Sequence, residues 1–261
     1  MQLFLFFITL FSPYILISEE TKMFYQTKYE TALSASEKKW VEHAKTSFEK
    51  AGNLQSNLTG KEFKETEKSE EWRSTNLSKY HLMSDIPKIP YYHLLNNLCN
   101  LPKASHLHVG LLAGDSYIAA LFGNQSKMAQ QIGVDWFKEC SEEILRANCN
   151  QYLDPIQYQV INKGCFDVNI SQFKIPINIF FYDADHSVKA HEKAFTYYDE
   201  AFANVFIAVI DDWQCPWTRI ATFKAFRKLK YQILYENAFT KRDLDNQIQY
   251  IVVIRKSSSK K

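Results

Sequence analysis

Between residues 105 and 229, short apolar runs alternate with stretches in which apolar positions recur every three or four residues. The runs at 105–109, 128–134, 158–162, 178–182 and 205–210 predict strands. The periodic stretches at 116–122, 139–152, 187–202 and 217–229 predict helices. Two of the runs, Asn-Ile-Phe-Phe-Tyr at 178–182 and Val-Phe-Ile-Ala-Val-Ile at 205–210, hardly alternate, as expected of strands buried on both faces of a parallel sheet. After residue 229 the rhythm changes. The strand-like runs at 231–237 and 249–254 have no helix-length segment between them, so they predict an antiparallel pair at a sheet edge. The pattern is that of an α/β chain: a doubly wound, mostly parallel sheet closed by an antiparallel C-terminal hairpin.

Upstream, residues 34–50 read as an amphipathic helix with Trp40, Ala44 and Phe48 on one stripe and Ser36 placed to cap it. Residues 52–79 are polar, without apolar periodicity, and read as a linker or loop. A boundary near Ser84 then divides a helical extension and polar linker (18–83) from the main domain (84–256) and a basic tail (257–261). Residues 1–17 carry no charge and are apolar apart from Gln2, Thr9, Ser12 and Pro13. Three readings of them stay open: a signal-like or membrane-attached segment, an extension packed on the domain, or a start upstream of a true one at Met23. The basic residue that precedes a signal core is missing, and the length is marginal for a membrane span.

Composition narrows the class. With 46% hydrophobic and 23% charged residues, the chain is globular. A net charge of +2 gives no electrostatic footprint for nucleic acid. The five cysteines are odd in number, widely spaced and without a C-x-x-C pair, which implies neither a disulfide framework nor a zinc site. A reducing, cytoplasmic compartment fits, with membrane attachment open through residues 1–17. The N-x-S/T triplets at Asn57, Asn76, Asn124 and Asn169 are too short to weigh much.

The segment Leu107-His108-Val109-Gly110-Leu111-Leu112-Ala113-Gly114-Asp115-Ser116 runs from a strand into a helix. Gly110 and Gly114 allow positive φ and close approach of backbone to a ligand, and Ser116 opens the helix. A tight strand-to-helix turn explains G-x-x-x-G equally well. About twenty residues on, the next strand ends in Asp135 and Trp136. An acid there can accept hydrogen bonds from ribose hydroxyls, and the indole could cover a nucleotide base. A solvated Asp and a core Trp are the plainer alternatives.

V-G-x-x-x-G-x-S followed by an acidic strand end resembles the class I S-adenosylmethionine (SAM)-dependent methyltransferases, and most closely the small O-methyltransferases of the catechol and caffeoyl-CoA type. The resemblance spans roughly residues 84–256 and implies a Rossmann-like sheet. It implies that Gly110, Gly114 and Ser116 hold the amino-acid end of SAM and that Asp135 binds its ribose. In that family an acid two positions before the first glycine supports the cofactor's ammonium. Here that position is His108.

Two later strands end in acids: Phe180-Phe-Tyr-Asp183-Ala-Asp185-His186 and Val209-Ile-Asp211-Asp212-Trp213. Ligands of open α/β sheets bind beyond the carboxyl ends of the strands, so Asp183, Asp211 and Asp212 are candidates for one site suited to Mg²⁺, Mn²⁺ or Ca²⁺. The metal-dependent O-methyltransferases carry a D-A-D-K-like segment and an Asp-Asn pair at matching places. His186 stands where their basic lysine does, and histidine is a competent base near neutral pH. The resemblance also includes metal-free members in which an Asp and a His line the pocket. Strand three carries Gly164 or Cys165 where the family has an acid. His191, Tyr197 and Tyr198 read as packing, and Trp213 and Trp217 as a pocket wall or a loop on the core.

Three functions stay in view. The leading one is SAM-dependent methyl transfer to an oxygen or nitrogen of an unidentified acceptor, small molecule or other, with Asp183 or His186 as base. The others are a catalytically inactive binding module on the same fold, and a metal-dependent glycosyltransferase using Asp183-Ala-Asp185 as a D-x-D motif. The sequence names no partner and no oligomeric state.

Overall fold

The computed structural model describes residues 32–57, 90–239 and 248–257. The apolar segment 1–17, Met23, Asn76 and most of the polar linker lie outside the described residues. From Leu33 onward the chain forms one unit. Its elements are α1 (Ala35–Gly52), α2 (Pro90–Cys99), β1 (Ser105–Val109), α3 (Asp115–Leu121), β2 (Gln130–Asp135), α4 (Glu142–Tyr152), β3 (Gln159–Asn162), β4 (Ile177–Tyr182), α5 (Val188–Tyr198), β5 (Phe202–Ile210), α6 (Pro216–Lys228), β6 (Gln232–Ala238) and β7 (Tyr250–Arg255).

Among the described residues, seven strands form one sheet in the order β3-β2-β1-β4-β5-β7-β6. The first five run parallel, and β7 is antiparallel to both β5 and β6. The expected doubly wound sheet and closing hairpin are therefore both present. Strand order reverses between β1 and β4, which opens a crevice beyond their carboxyl ends.

Local chemistry sets the element ends. Ser34, not Ser36, caps α1: its hydroxyl accepts the Glu37 N–H (3.3 Å), and Glu37 Oε2 accepts the Ser34 N–H (2.7 Å). This reciprocal box outcompetes Ser36, which sits inside the first turn. α4 begins at Glu142 rather than 139 because Ser141 accepts the Ile144 N–H. β2 begins at Gln130 because a 3₁₀ turn at Gln125–Lys127 precedes it. The helix expected over 187–202 stops at Tyr198, and after a 3₁₀ turn at Asp199–Ala201 Phe202 pairs with Ile177 as the start of β5.

Helix α2 has no counterpart in the sequence pattern. Tyr91, Tyr92, His93, Leu94, Leu95, Asn96, Leu98 and Cys99 are all buried. A helix covered on every side lacks the polar face that makes a helical period visible. It packs against α1 and α3, and α1 also packs on β5, β6 and β7. Phe48 stacks on Phe239 at 4.5 Å, and Arg255 Nη1 lies 2.6 Å from Glu37 Oε1. The residues before β1 thus share the core of the sheet that follows.

Two buried asparagines join α2 to α3. Asn96 Nδ2 donates to the Ala119 and Phe122 carbonyls (2.7 and 2.9 Å), and Asn124 Nδ2 donates to the Asn96 and Ala120 carbonyls (2.9 and 3.0 Å). Together they close the carbonyls that the seven-residue α3 leaves open. Asn124 is fully buried, so the folded chain offers no accessible glycosylation acceptor at that triplet.

Replacing Asn96 with Ala leaves the Ala119 and Phe122 carbonyls without this donor. The variant should lose about 2 kcal/mol of stability, read as a lowered midpoint in urea denaturation at unchanged m-value.

Candidate functional site

A cavity of about 780 Å³ lies beyond the carboxyl ends of β1, β2 and β4. Gly110, Ser116, Asp135, Trp136, Asp183 and His186, six of the residues singled out from the sequence, line it together.

The β1–α3 loop is built before any ligand arrives. Gly110 has φ +93°, and a Cβ there would lie 1.6 Å from the Asp183 carbonyl oxygen. Gly114 has φ +103°, and its Cβ would lie 2.7 Å from Leu145 Cδ1 on α4. Gly110 is therefore demanded by packing against backbone, and Gly114 by its left-handed φ, since Leu145 Cδ1 is the end of a flexible side chain. Asp135 Oδ2 accepts the N–H groups of Leu111 (2.7 Å) and Leu112 (3.0 Å), and Oδ1 accepts that of Phe137 (2.8 Å). Asn148 Nδ2 adds a bond to the Ala113 carbonyl (2.8 Å). An ionised carboxylate offers about four acceptor sites, so Asp135 keeps about one for a ligand hydroxyl.

His108 does not reach the cavity, which corrects its place among the cofactor contacts. It is fully buried, packed against Phe181 and Tyr117. Its Nε2 lies 3.0 Å from Ser116 Oγ and its Nδ1 3.3 Å from His106 Nε2. Burial, with His106 beside it, holds the imidazole well below the usual histidine range. Burial likewise brings His106 down to about 4. Position 108 thus carries a neutral ring that fixes the Ser116 hydroxyl and offers no counter-charge.

At the other end, His186 lies between two carboxylates: Nδ1 is 2.9 Å from Asp212 Oδ2, and Nε2 is 3.8 Å from Asp183 Oδ1. The hydrogen bond that His186 donates to Asp212 raises the His186 pKa despite opposing desolvation, and the same bond lowers that of Asp212. Asp211 points away into the core. Gln249 Nε2 donates to its Oδ1 at 2.7 Å, and its Oδ2 has no hydrogen-bond partner among the described residues. Burial, and then the nearby Asp183 charge, push that carboxyl well above the carboxylate range. Asp211 and Asp212 do not line the cavity. Among the described residues no three His, Cys, Asp or Glu side chains gather to hold a metal, so the expected Asp183/Asp211/Asp212 site is not formed. Asp185 lines the cavity as well, with its Oδ1 accepting the Ser187 N–H (2.8 Å) in the turn that starts α5.

The remaining candidates fall into place around this frame. Trp213 stacks on Tyr250 at 3.8 Å in the core, whereas Trp217 is half exposed on α6. His191 is buried against Thr218, and the Tyr197 and Tyr198 hydroxyls donate to the Val168 and Cys165 carbonyls. Trp136 is 55% exposed at the cavity edge with Lys138 Nζ 3.6 Å from its ring centre, so it is not a core residue. Several lining residues escaped sequence reasoning, two tyrosines and two acids among them. Tyr91 and Tyr92 sit on the unforeseen α2, Asp167 lies just past Gly164 and Cys165, and Asp115 stands between the two α3-opening residues already picked out. An acid inside a glycine turn was the available signal for Asp115.

No helix among the described residues is long and apolar enough to cross a membrane. No protein-family model matches the chain, and no curated protein matches it. Solved structures do. An O-methyltransferase from Bacillus cereus, solved in complex with S-adenosylhomocysteine (SAH), is 13% identical with a TM-score of 0.50, over 72% of this chain and 90% of that one. An O-methyltransferase from Streptomyces achromogenes involved in tomaymycin synthesis, in complex with SAM, is 10% identical with a TM-score of 0.48, over 75% of this chain and 89% of that one. A provisionally assigned SAM-dependent methyltransferase from Streptococcus mutans is 15% identical with a TM-score of 0.49. The match covers 63% of this chain and spans about half of that protein, 47%. At such identities the likeness speaks for the fold, which is the class I SAM-dependent methyltransferase fold.

The buried imidazoles make the fold acid-sensitive in a defined window. A histidine whose folded pKa is depressed contributes stability that is full above its unfolded value of 6.5 and falls as pH drops towards the folded value, about 4 for His106. Asp115 and Asp211, raised in the fold, act in the opposite sense. The His106 contribution is therefore read by difference. The stability of the wild type minus that of His106→Gln should decrease between pH 7.5 and 4.5, and a flat difference would deny the assignment.

Proposed function

We propose that this chain is a SAM-dependent methyltransferase acting on an oxygen or nitrogen of an acceptor bound beside His186. The observation that carries this reading is the single cavity that joins the Gly110–Ser116 turn, the Asp135–Trp136 strand end and the Asp183–His186 turn on a sheet of this order. When bound, SAM supplies an electrophilic methyl group on a sulfonium. The chain's own residues do the rest. The Leu111–Ser116 backbone and the fixed Ser116 hydroxyl hold the amino-acid end, the free acceptor site of Asp135 takes a ribose hydroxyl, and Trp136 flanks the base. Tyr91 and Tyr92 wall the acceptor side.

His186 is the base. Its side chain is 46% exposed, so an acceptor reaches it from solvent, and Asp212 orients the ring. Asp183 faces the same space and stabilises the imidazolium formed when His186 takes the acceptor's proton. The three aspartates do not fit a divalent cation, and no step is assigned to one. A second reading, a binding module without turnover, is favoured by one observation only: the neutral His108 supplies no acid at the place the resemblance calls for one.

Calorimetric titration with SAM and SAH tests the reading directly. Asp135→Ala should weaken SAM binding about 10- to 100-fold, and unchanged affinity in a folded variant removes the ribose assignment. His186→Gln should lower kcat about 100-fold with little change in SAM affinity, whereas equal losses would make it a cofactor contact.

The base must be neutral to act, so the rate should rise with pH through a pKa above 6.5. Asp212→Asn removes the main cause of that elevation and should move the rising limb of the kcat profile to lower pH. A limb that stays in place excludes His186 as the titrating base.

A further inference from the structure

Asp115 opens α3 at the floor of the cavity. Its side chain lines the cavity, the residue is only 8% exposed, and it makes no hydrogen bond or ion pair with any described residue. The groups around it do not neutralise it. Cys140, ahead of α4, and Cys149, on α4, are thiols raised mainly by burial and further by the Asp115 charge. Asp135 and Glu139 line the same cavity with like charge, and His108 from β1 is neutral. The cationic side chains of the region are engaged elsewhere: Lys193 lies 4.5 Å from the Phe166 ring centre, Lys138 lies over Trp136, and His186 is held by Asp212. A carboxyl buried without a partner is costly in ionised form. Burial accordingly pushes Asp115 up to about 8, so it holds its proton at pH 7.

We propose that Asp115 is the counter-charge for the amino group of the bound cofactor, taking over from the other side of the glycine turn the task that His108 cannot perform. The inference rests on the methyltransferase reading above. In the empty protein the carboxyl is neutral and stable in its dry surroundings. When an ammonium settles against it, Asp115 gives its proton to the buffer and the carboxylate–ammonium pair remains. Binding is thereby coupled to release of one proton, and a ligand without a positive charge at this point gains nothing from the site.

The test is calorimetric titration of the full chain with SAM at pH 7 in phosphate and in Tris, which differ in ionisation enthalpy. Wild type should release the larger part of a proton per SAM, because Asp115 is mostly protonated at that pH. SAH, which keeps the amino group and lacks the sulfonium, should release the same. D115N matches the neutral form in shape, so it should fold normally, bind both ligands about tenfold or more weakly, and lose the release. Binding by the wild type without buffer dependence overturns the assignment, as does a D115N variant that keeps both affinity and release. Release with SAM but not with SAH assigns Asp115 to the sulfonium and overturns the amino-group role. Failure of the wild type to bind SAM or SAH at all overturns the methyltransferase reading and this inference together, a result distinct from binding without release.

Discussion

The main-chain carbonyl of Asp183 stands where residue 110 would carry a Cβ, and most of the site follows from that contact. It brings the end of β4 against the first turn beyond β1, so the two strands that flank the switch in sheet order also meet at their tips. Asp135, at the end of β2, then reaches across and takes two N–H groups of the same turn on one oxygen. Three strand ends are locked to one loop by one steric exclusion and one charged acceptor. Such a loop needs little reordering when a ligand arrives, which spares binding the entropy of organising it.

Charge is distributed unevenly along the cavity. At the inner end Asp115, beside the buried and neutral His108, retains its proton near pH 7. At the outer end the His186 side chain sits half exposed with Asp212 behind it, where water supports ionisation. The inner region is thus a place where an entering cation meets little competing charge, and the outer region one where a proton can be exchanged with solvent. The methyltransferase reading needs both, and they come from different strands.

Much of this was legible in the sequence because buried parallel strands announce themselves. The runs that became β4 and β5 are apolar without alternation, and the absence of a helix before β7 gave away the hairpin. Helix α2 was hidden for the opposite reason: of Tyr91 to Cys99 all but Asn97 are buried, so no period contrasts with a polar face. Ser34 and Ser36 look alike as caps until Glu37 reaches back to one of them. At the site, strand ends placed Asp135 and Asp183 in the cavity, yet linear spacing could not tell that Asp211 turns to Gln249 and Asp212 to His186. Asp115 went unread because the residues on either side of it fitted a known pattern.

The glycine turn also bears on what such a motif signifies. Gly110 is required by the Asp183 carbonyl and Gly114 by its own left-handed φ, so neither depends on a ligand. Any chain that keeps this turn favours both glycines, with or without methyl transfer. The glycine motif therefore reports on the fold, and activity is better sought at side chains the turn does not require, Asp115 and His186 among them.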